Sequence, residues 1–436
     1  MLTYCVRKRL FLLSRETLKP SVSSVSPQQR RCESGGSMLE LQHYISSGRA
    51  GRGSTYGPLG TELKRNVLQQ WWAAVVSLKP EVFGISTPCS SIDGGTLRIV
   101  DGEALGEQLK DLSEAQLKER LHKLFQHNQS LRTSLLQGAL EQFVPSLELI
   151  IRKLPFGLAE TGLCYHPEPE RSDTIGCFTE VTEASLVWFC SPRTSSQWLD
   201  YWARQRLQWW RKFALGPSDF SVCDVLSEEL KEGASRGVKV LYQFPSGSET
   251  LETLWSFGDT KLLKTHHGSR AKLLCRDGRR SVVPHVLSVS ANVDRGVLAF
   301  LFNSLQHVQK VDSKRRLYQR KVLKLHPTLA PVKVALDMGR GSTSELRQVC
   351  EGLLQEFLEA GISAWPGYLD TTYSSMESLH VKYDEMGVLF TVMITDSTLE
   401  NGLLMVRNRN TTVKETMHIS EIKQFLLKYI SAAENI

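Results

Sequence analysis

The chain has 436 residues, of which 41% are hydrophobic and 23% are charged, and its formal net charge is +7 at pH 7. This composition is typical of a globular protein with two or three domains and excludes a largely disordered chain. No apolar run approaches the roughly 20 residues that a membrane-spanning helix needs, so we predict no membrane-embedded segment. The nine cysteines include no Cys-x-x-Cys pair, which argues against a zinc ribbon, and we predict no metal site.

Residues 1–40 have the composition of a mitochondrial transit peptide, rich in serine and arginine and poor in acids. Between Met1 and Cys32 the one acidic residue is Glu16. The basic residues of that stretch are Arg7, Lys8, Arg9, Arg15, Lys19, Arg30 and Arg31. A plain basic tail is the alternative, and a secretory signal fits less well because the apolar run Leu10–Leu13 is short. We therefore predict a protein of the mitochondrial matrix.

Two helical regions follow this leader. In "YGPLGTELKRNVLQQWW" the residues Leu63, Val67 and Trp71 recur at helical spacing, so one face of a helix is expected to be buried. Residues 112–154 predict a helical pair whose two apolar stripes must dock on the body or on a second copy of the chain. Because twofold dimers are the commonest oligomers, we interpret the pair as a dimerisation insertion of a homodimer. Its candidate contacts are Leu117, Leu121, Leu124, Leu135, Phe143 and Leu147.

Strands and one aromatic helix are predicted between residues 154 and 305. "ASLVWFCS" and "SVVPHVLSVS" are typical of buried strands. The helix "QWLDYWARQRLQWWRKFA" carries an apolar stripe of Trp198, Trp202, Trp209 and Phe213. Aromatic residues interleaved with basic ones are compatible with nucleic-acid binding, although core packing is the more common role of such a stripe. The basic candidates on this helix are Arg204, Arg211 and Lys212.

The most basic stretch is "KVDSKRRLYQRKVLK", in which Asp312 is the one acid. Its candidate DNA contacts are Lys310, Lys314, Arg315, Arg316, Arg320 and Lys321. Such a tract would bind phosphates and release counterions without reading bases, and a solvated loop is the alternative. A second basic cluster, between Lys264 and Arg280, is interrupted by Asp277 and would extend the same surface.

The last hundred residues alternate strands and helices, which predicts a mixed, mostly parallel sheet covered on both faces. Gly361 is expected to close the helix "TSELRQVCEGLLQEFLEAG". We therefore divide the chain into a body (residues 53–305), a basic connecting tract (306–326) and a C-terminal α/β domain (327–436).

Several segments resemble class IIa aminoacyl-tRNA synthetases, most of all glycyl-tRNA synthetase. "LHPTLAPVKVAL" and "KYDEMGVLFTVMITDSTLENGLLMVRNRNT" are similar to the anticodon-binding domain, and "YGPLGTELKRNVLQQWW" to the first motif of the catalytic domain. The resemblance implies an α+β fold with an antiparallel-sheet body, a helical insertion and an anticodon-binding-like C-terminal domain.

The synthetase chemistry is absent from the matching positions. Where the family has a phosphate-binding arginine, this chain has His166, and Ser288 and Asn292 replace a glutamate and a glycine of the third motif, in which Arg295 is retained. Thr250 and Phe257 stand where the family places substrate-binding charges. An adenylate-forming site needs those groups to balance phosphate charge. We therefore predict a degenerate nucleotide site, no catalytic residues and no cofactor.

The stretch from Thr182 to Ala214, with the Arg/Lys tract before "VLKLHPTLAP", resembles the accessory-subunit family of mitochondrial DNA polymerase gamma. That resemblance implies a homodimeric processivity factor that binds the polymerase catalytic subunit and primer–template or double-stranded DNA in the nucleoid. The C-terminal domain is the candidate docking surface for the polymerase. A diverged glycyl-type synthetase and a tRNA-binding module remain alternatives.

Overall fold

The computed structural model describes residues 41, 43–47, 54–91, 116–119, 130–166, 180–311, 317–339, 343–370 and 375–434. Its strands are β1 Ile45–Ser47, β2 Ser54–Tyr56, β3 Val82–Gly84, β4 Ser90–Ser91, β5 Ser130–Leu131, β6 Phe156–Tyr165, β7 Glu180–Cys190, β8 Phe220–Asp224, β9 Arg236–Phe244, β10 Gly247–Gly258, β11 Cys275–Asp277, β12 Arg280–Val282, β13 His285–Asn292, β14 Leu305–Val311, β15 Leu317–Leu323, β16 Val334–Met338, β17 Ala364–Trp365, β18 Phe390–Ile394, β19 Leu403–Asn408 and β20 Lys414–His418. Its helices are α1 Pro58–Trp72, which continues as a π-helix over Ala73–Ser77, α2 Leu136–Glu141, α3 Phe143–Ser146, α4 Ser195–Lys212, α5 Thr260–Thr265, α6 Arg270–Leu273, α7 Val293–Ser304, α8 Thr343–Glu359, α9 Met376–Glu385, α10 Asp396–Asn401 and α11 Ile422–Glu434.

The body is built on one seven-stranded sheet with the order β3–β6–β7–β13–β10–β9–β8. Every neighbouring pair is antiparallel except β3 and β6. The interior strand β7 is buried along almost its whole length, as its apolar sequence predicts. The predicted antiparallel-sheet body is therefore confirmed.

Helices α1, α4 and α7 cover this sheet and carry the main hydrophobic core. Leu63, Val67 and Trp71 of α1 are buried, as predicted from their spacing. The stripe of α4 is also core, because Trp202 is 1% exposed and Trp209 is 7% exposed. Helix α7 approaches α4 closely at Gly296, where a Cβ atom would lie 2.4 Å from the Trp210 ring. The aromatic stripe of α4 therefore serves packing rather than base stacking.

The predicted second helix of the insertion is wrong in extent. Residues 130–154 form the short strand β5, the two short helices α2 and α3, and turns up to the β6 strand. Leu135, Phe143 and Leu147 are 1%, 0% and 0% exposed within a single chain. The Phe143 ring lies 4.7 Å from Phe189 and 5.8 Å from Phe156. These three candidate dimer contacts are therefore core residues that dock on the body.

Of the other candidate dimer contacts, only one lies within the described residues. Leu117 lies in a helical stretch and is half-buried, whereas Leu121 and Leu124 lie outside the described residues.

The C-terminal domain has a five-stranded sheet with the order β17–β16–β18–β19–β20. Strand β16 is parallel to β17 and β18, whereas β19 is antiparallel to both its neighbours, so the sheet is mixed but not mostly parallel. Helices α8 and α11 bury their apolar faces on one side, and α9 packs on the other. Gly361 follows α8 with φ 73°, as expected for a residue closing a helix.

The basic connecting tract is a hairpin rather than a loop. Strands β14 and β15 pair antiparallel from Leu305↔Leu323 to Val311↔Leu317. Arg320 of β15 is 5% exposed, and its Nη2 donates to Asp384 Oδ2 of α9 at 2.5 Å. Arg407 of β19 donates to both oxygens of the same carboxylate, at 2.9 and 3.0 Å. This buried ion cluster fastens the hairpin to the C-terminal domain.

Candidate functional site

A cavity of about 320 Å³ opens over the central strands of the body sheet. The four residues predicted to mark the degenerate nucleotide site all line it. They are His166, Ser288, Asn292 and Arg295. Because side chains two residues apart point to the same face of a strand, Ser288, Ser290 and Asn292 of β13 line its floor together.

His166 directly follows β6 and cannot replace a phosphate-binding arginine. Burial first, then the nearby charges of Lys231 and Arg295, lower the pKa of this histidine below its usual value. The imidazole is therefore neutral at pH 7 and offers no positive charge to a triphosphate. An arginine would supply a fixed charge and a two-pronged grip in its place.

Asn292 and Arg295 are already bonded to the protein itself. The Asn292 side chain accepts a hydrogen bond from the Arg295 amide at 2.8 Å and so caps the N-terminus of α7. The Arg295 guanidinium donates to the Thr250 carbonyl at 2.7 Å, and its Nε lies 3.2 Å from Glu249 Oε2. The one retained arginine of the family motif is therefore neutralised by a carboxylate.

Two buried glutamates at the cavity were missed by the sequence analysis. Glu183 is 6% exposed, and burial raises the pKa of its carboxyl despite hydrogen bonds from Ser290 and the Leu135 amide. Glu252 is 1% exposed and accepts hydrogen bonds from Arg206 Nε at 2.8 Å and Trp210 Nε1 at 2.6 Å. The available signal was an acid next to the apolar run of its strand, in β7 before "ASLVWFC" and in β10 before "TLWSF".

The cavity is thus poorly suited to an anionic nucleotide. Its lining includes Glu183, whereas its charged bases are Lys231 and the paired Arg295. Thr250 lines it as expected. Phe257 instead packs in a second hydrophobic core, which also contains Phe143 and Phe189, and Lys261 Nζ lies 5.4 Å from its ring. The residues that differ from the synthetase pattern therefore lie partly in the cavity and partly in the hydrophobic core.

Among the residues that the structure describes, no three His, Cys, Asp or Glu side chains are grouped so as to hold a metal ion. In that same part of the chain no helix is both long and apolar enough to traverse a bilayer.

The candidate DNA contacts are scattered, and the structure removes one of them. Arg320 is buried in the ion cluster with Asp384, so its guanidinium cannot reach a phosphate. On α4, Arg204, Arg211 and Lys212 are all exposed. Arg211 also donates to the Phe220 carbonyl, and Lys212 to the Glu434 carbonyl. Lys321 is half-buried on β15.

The remaining tract residues are less fully defined. Lys310 belongs to β14, while Lys314, Arg315 and Arg316 lie outside the described residues.

The fold matches that of class II synthetases. Residues 330–429 match the family described as the anticodon binding domain. A solved structure of Giardia lamblia prolyl-tRNA synthetase in complex with prolyl-adenylate is similar over 92% of this chain and 79% of that chain, with a TM-score of 0.64 and 14% sequence identity. The fold and the cavity therefore define a class II aminoacyl-tRNA synthetase-like protein.

Similar sequences show to which family within this class the chain belongs. Glycine–tRNA ligase from Thermus thermophilus is 28% identical over 68% of this chain and 62% of that protein. DNA polymerase subunit gamma-2 from Mus musculus is 51% identical over 87% of this chain and 84% of that protein. A Xenopus laevis protein named DNA polymerase subunit gamma-2, mitochondrial, is 50% identical over 87% of this chain and 82% of its own length. The chain belongs to the DNA polymerase subunit gamma-2 family.

Proposed function

We propose that this protein is the non-catalytic accessory subunit of the mitochondrial DNA polymerase gamma and acts in the matrix, at the nucleoid. The observation that carries the proposal is 51% identity, over most of both chains, to a protein named as a subunit of that polymerase. The word mitochondrial in the name of the Xenopus laevis relative and the basic leader of residues 1–40 support the location.

The cavity supports a role without catalysis. Adenylate formation requires fixed positive charge around the phosphates. His166 is neutral, and Arg295 is engaged by Glu249 and the Thr250 carbonyl. A bound nucleotide would have to break that ion pair and approach Glu183. We therefore assign the synthetase-like body to holding macromolecules rather than to aminoacyl transfer.

The proposed mechanism is an increase in the effective concentration of the polymerase at its DNA template. A subunit that holds the polymerase through one surface and DNA through another makes rebinding intramolecular, so the complex stays on its template longer. We assign the C-terminal domain to the catalytic subunit and the basic surfaces to DNA. Of the original DNA candidates, all but the buried Arg320 remain in this proposal. They are Arg204, Arg211, Lys212, Lys310, Lys314, Arg315, Arg316 and Lys321.

A homodimer remains part of the proposal, with a reduced set of contacts. Leu135, Phe143 and Leu147 are core residues, so the dimer interface must use other positions. Leu117, Leu121 and Leu124 stay as candidates. Sedimentation of the purified chain reports its mass directly.

Purified protein is expected to bind the catalytic subunit in stoichiometric amount and to lengthen the products of its DNA synthesis on a primed template. The measurement is product length under single-binding conditions, with a heparin trap added at the start of synthesis. A preparation denatured by heat is the control. Unchanged product length, or amino-acid-dependent ATP–pyrophosphate exchange by the chain itself, would contradict the proposal.

Changing Arg315 and Arg316 together to alanine is expected to weaken duplex binding equally for all sequences. Because each phosphate contact contributes about 0.9 to the salt slope, the slope should fall by roughly 2. Titrations between 50 and 200 mM salt measure it. The control is the double change of Arg65 and Arg347, two exposed arginines of other elements. An unchanged slope, or a marked preference for tRNA over primer–template DNA, counts against this assignment.

A further inference from the structure

A second cavity, of about 310 Å³, is walled by the π-helical end of α1 and by helix α4. Within the described ranges it shares no lining residue with the first cavity, and no acid lines it. Its polar lining consists of Lys79, Gln205, Arg206, Gln208 and Lys212. We call it the basic cavity. Unlike the first cavity, it has positive charge that no lining carboxylate offsets.

The two lysines of the basic cavity are anchored by neutral groups. Lys79, which closely follows the π-helix, donates from Nζ to Tyr201 Oη at 2.9 Å, and its ammonium lies 5.5 Å from the centres of the Tyr201 and Trp202 rings. Lys212 Nζ donates to the Glu434 carbonyl at 2.5 Å. Of the carboxylates that the structure describes, none forms an ion pair with either ammonium. Each lysine therefore carries a charge that an added anion can neutralise.

Arg206 lines the basic cavity from the core side and has an unsatisfied donor. It is 2% exposed, and its Nε donates to Glu252 Oε1 at 2.8 Å. The guanidinium carbon lies 4.5 Å from the centre of the Trp209 ring, which offers no hydrogen-bond acceptor. Among the described residues, Nη2 has no acceptor. A buried N–H without an acceptor costs free energy, and an anion in the basic cavity would supply the missing acceptor.

The π-helix supplies an apolar wall of the basic cavity. Ala74 and Val75 line it, and the Leu78 amide donates to the Ala73 carbonyl, five residues back, at 3.1 Å. Such π-helical turns are rare and occur frequently at functional sites. The short side chains of this wall leave the cavity unfilled on its side.

The lining favours a small anion over other ligands. A cation would meet three like charges, and an apolar ligand would bury two ammonium groups without a counter-charge. The volume lies at the lower end of the roughly 300–1,000 Å³ of small-molecule sites. Lys79 is half-buried and Arg206 is buried, so neither lies where the backbone of a duplex could contact it. Lysine and arginine are the usual partners of phosphate oxygens.

We propose that the basic cavity binds a small phosphate anion, such as inorganic phosphate, diphosphate or the phosphate group of a mononucleotide. Lys79 and Lys212 balance its charge, while Arg206 and the amides of Gln205 and Gln208 donate hydrogen bonds to its oxygens. Diphosphate should bind more tightly than inorganic phosphate, because it carries more charge at neutral pH. The inference does not depend on the proposed function, since it needs neither DNA nor the polymerase.

The test is calorimetric titration of the full chain, in chloride buffer, with diphosphate, inorganic phosphate and AMP. Changing Lys79 and Lys212 together to glutamine should weaken diphosphate binding at least about tenfold, because two charge-assisted contacts are lost. Lys212 is exposed, so its single change to glutamine leaves the core intact and should weaken binding at least about threefold. Circular dichroism confirms that each variant is folded.

The matched control changes Lys264 and Lys414, two exposed lysines outside the basic cavity, to glutamine. It removes the same charge as the Lys79/Lys212 variant and should alter the affinity less than about twofold, because distant surface charges are screened. Tighter binding of AMP than of either inorganic anion would support the proposal and identify a nucleotide as the ligand. The reverse order would support it and identify a free phosphate.

Three results would overturn the inference. The first is the absence of saturable binding to the unaltered chain at millimolar diphosphate. The second is equal weakening in the Lys79/Lys212 and Lys264/Lys414 variants, since overall charge would then be the cause. The third is displacement of diphosphate by a short duplex without terminal phosphates, because the cavity would then belong to a DNA-binding surface.

Discussion

Changing Asp384 to alanine is expected to destabilise the protein by about 3–5 kcal/mol, because it leaves two buried arginines without their anion. Asp384 is 1% exposed and binds Arg320 from the β14–β15 hairpin and Arg407 from β19. His380 nearby adds no further positive charge, because burial and then the charge of Arg407 lower its pKa to about 4 and keep it neutral. Urea unfolding followed by circular dichroism and by tryptophan fluorescence measures the loss.

The matched control for Asp384 is Asp224, whose side chain is 71% exposed and pairs with Arg236. Its change to alanine should cost no more than about 1 kcal/mol, as is usual for surface ion pairs. Limited proteolysis should also cut the hairpin faster in the Asp384 variant than in the Asp224 variant. Equal stabilities of the two variants would show that the ion cluster does not fasten the hairpin.

The second large effect is expected at Phe143. Its change to alanine should destabilise the chain by about 3–5 kcal/mol, the usual range for removing a fully buried aromatic ring. Because Phe143 packs on Phe156 and Phe189 of the same chain, the loss should not depend on protein concentration. Thermal unfolding at several concentrations measures this, with sedimentation to follow the oligomeric state.

Leu149 provides the control for Phe143, since it lies in the same segment and is 78% exposed. Its change to alanine should alter stability by less than about 0.5 kcal/mol, as for most surface positions. A loss of stability that becomes smaller as the protein concentration rises would restore this residue to the dimer interface.

Burial was predictable from the sequence, but the partner of each buried face was not. The helical spacing of Leu63, Val67 and Trp71, and the apolar run of β7, identified core residues correctly. The same periodicity marked Phe143 as apolar and packed without distinguishing its own body from a second copy of the chain. Periodicity reports that a face is covered, and the covering surface depends on tertiary contacts.

Charged residues gave the least reliable predictions. Arg320 stands in a run of basic residues, which is typical of a solvated surface, yet it is buried because Asp384 lies 64 positions later in the sequence and meets it in the fold. The cavity was predicted through family resemblance, from His166, Ser288, Asn292 and Arg295. Its two buried glutamates depend on strand register and bulges, which the sequence alone does not fix.

The main hydrophobic core has a mechanical consequence. It runs without a break from Leu63 and Trp202 of the body to Leu346 and Leu426 of the C-terminal domain. The Asn66 side chain also donates to the Leu329 carbonyl across the same junction at 3.0 Å. The body and the C-terminal domain therefore share one core and are expected to move as a single rigid unit. A polymerase held at one end and a duplex held at the other would keep a constant separation and angle throughout synthesis.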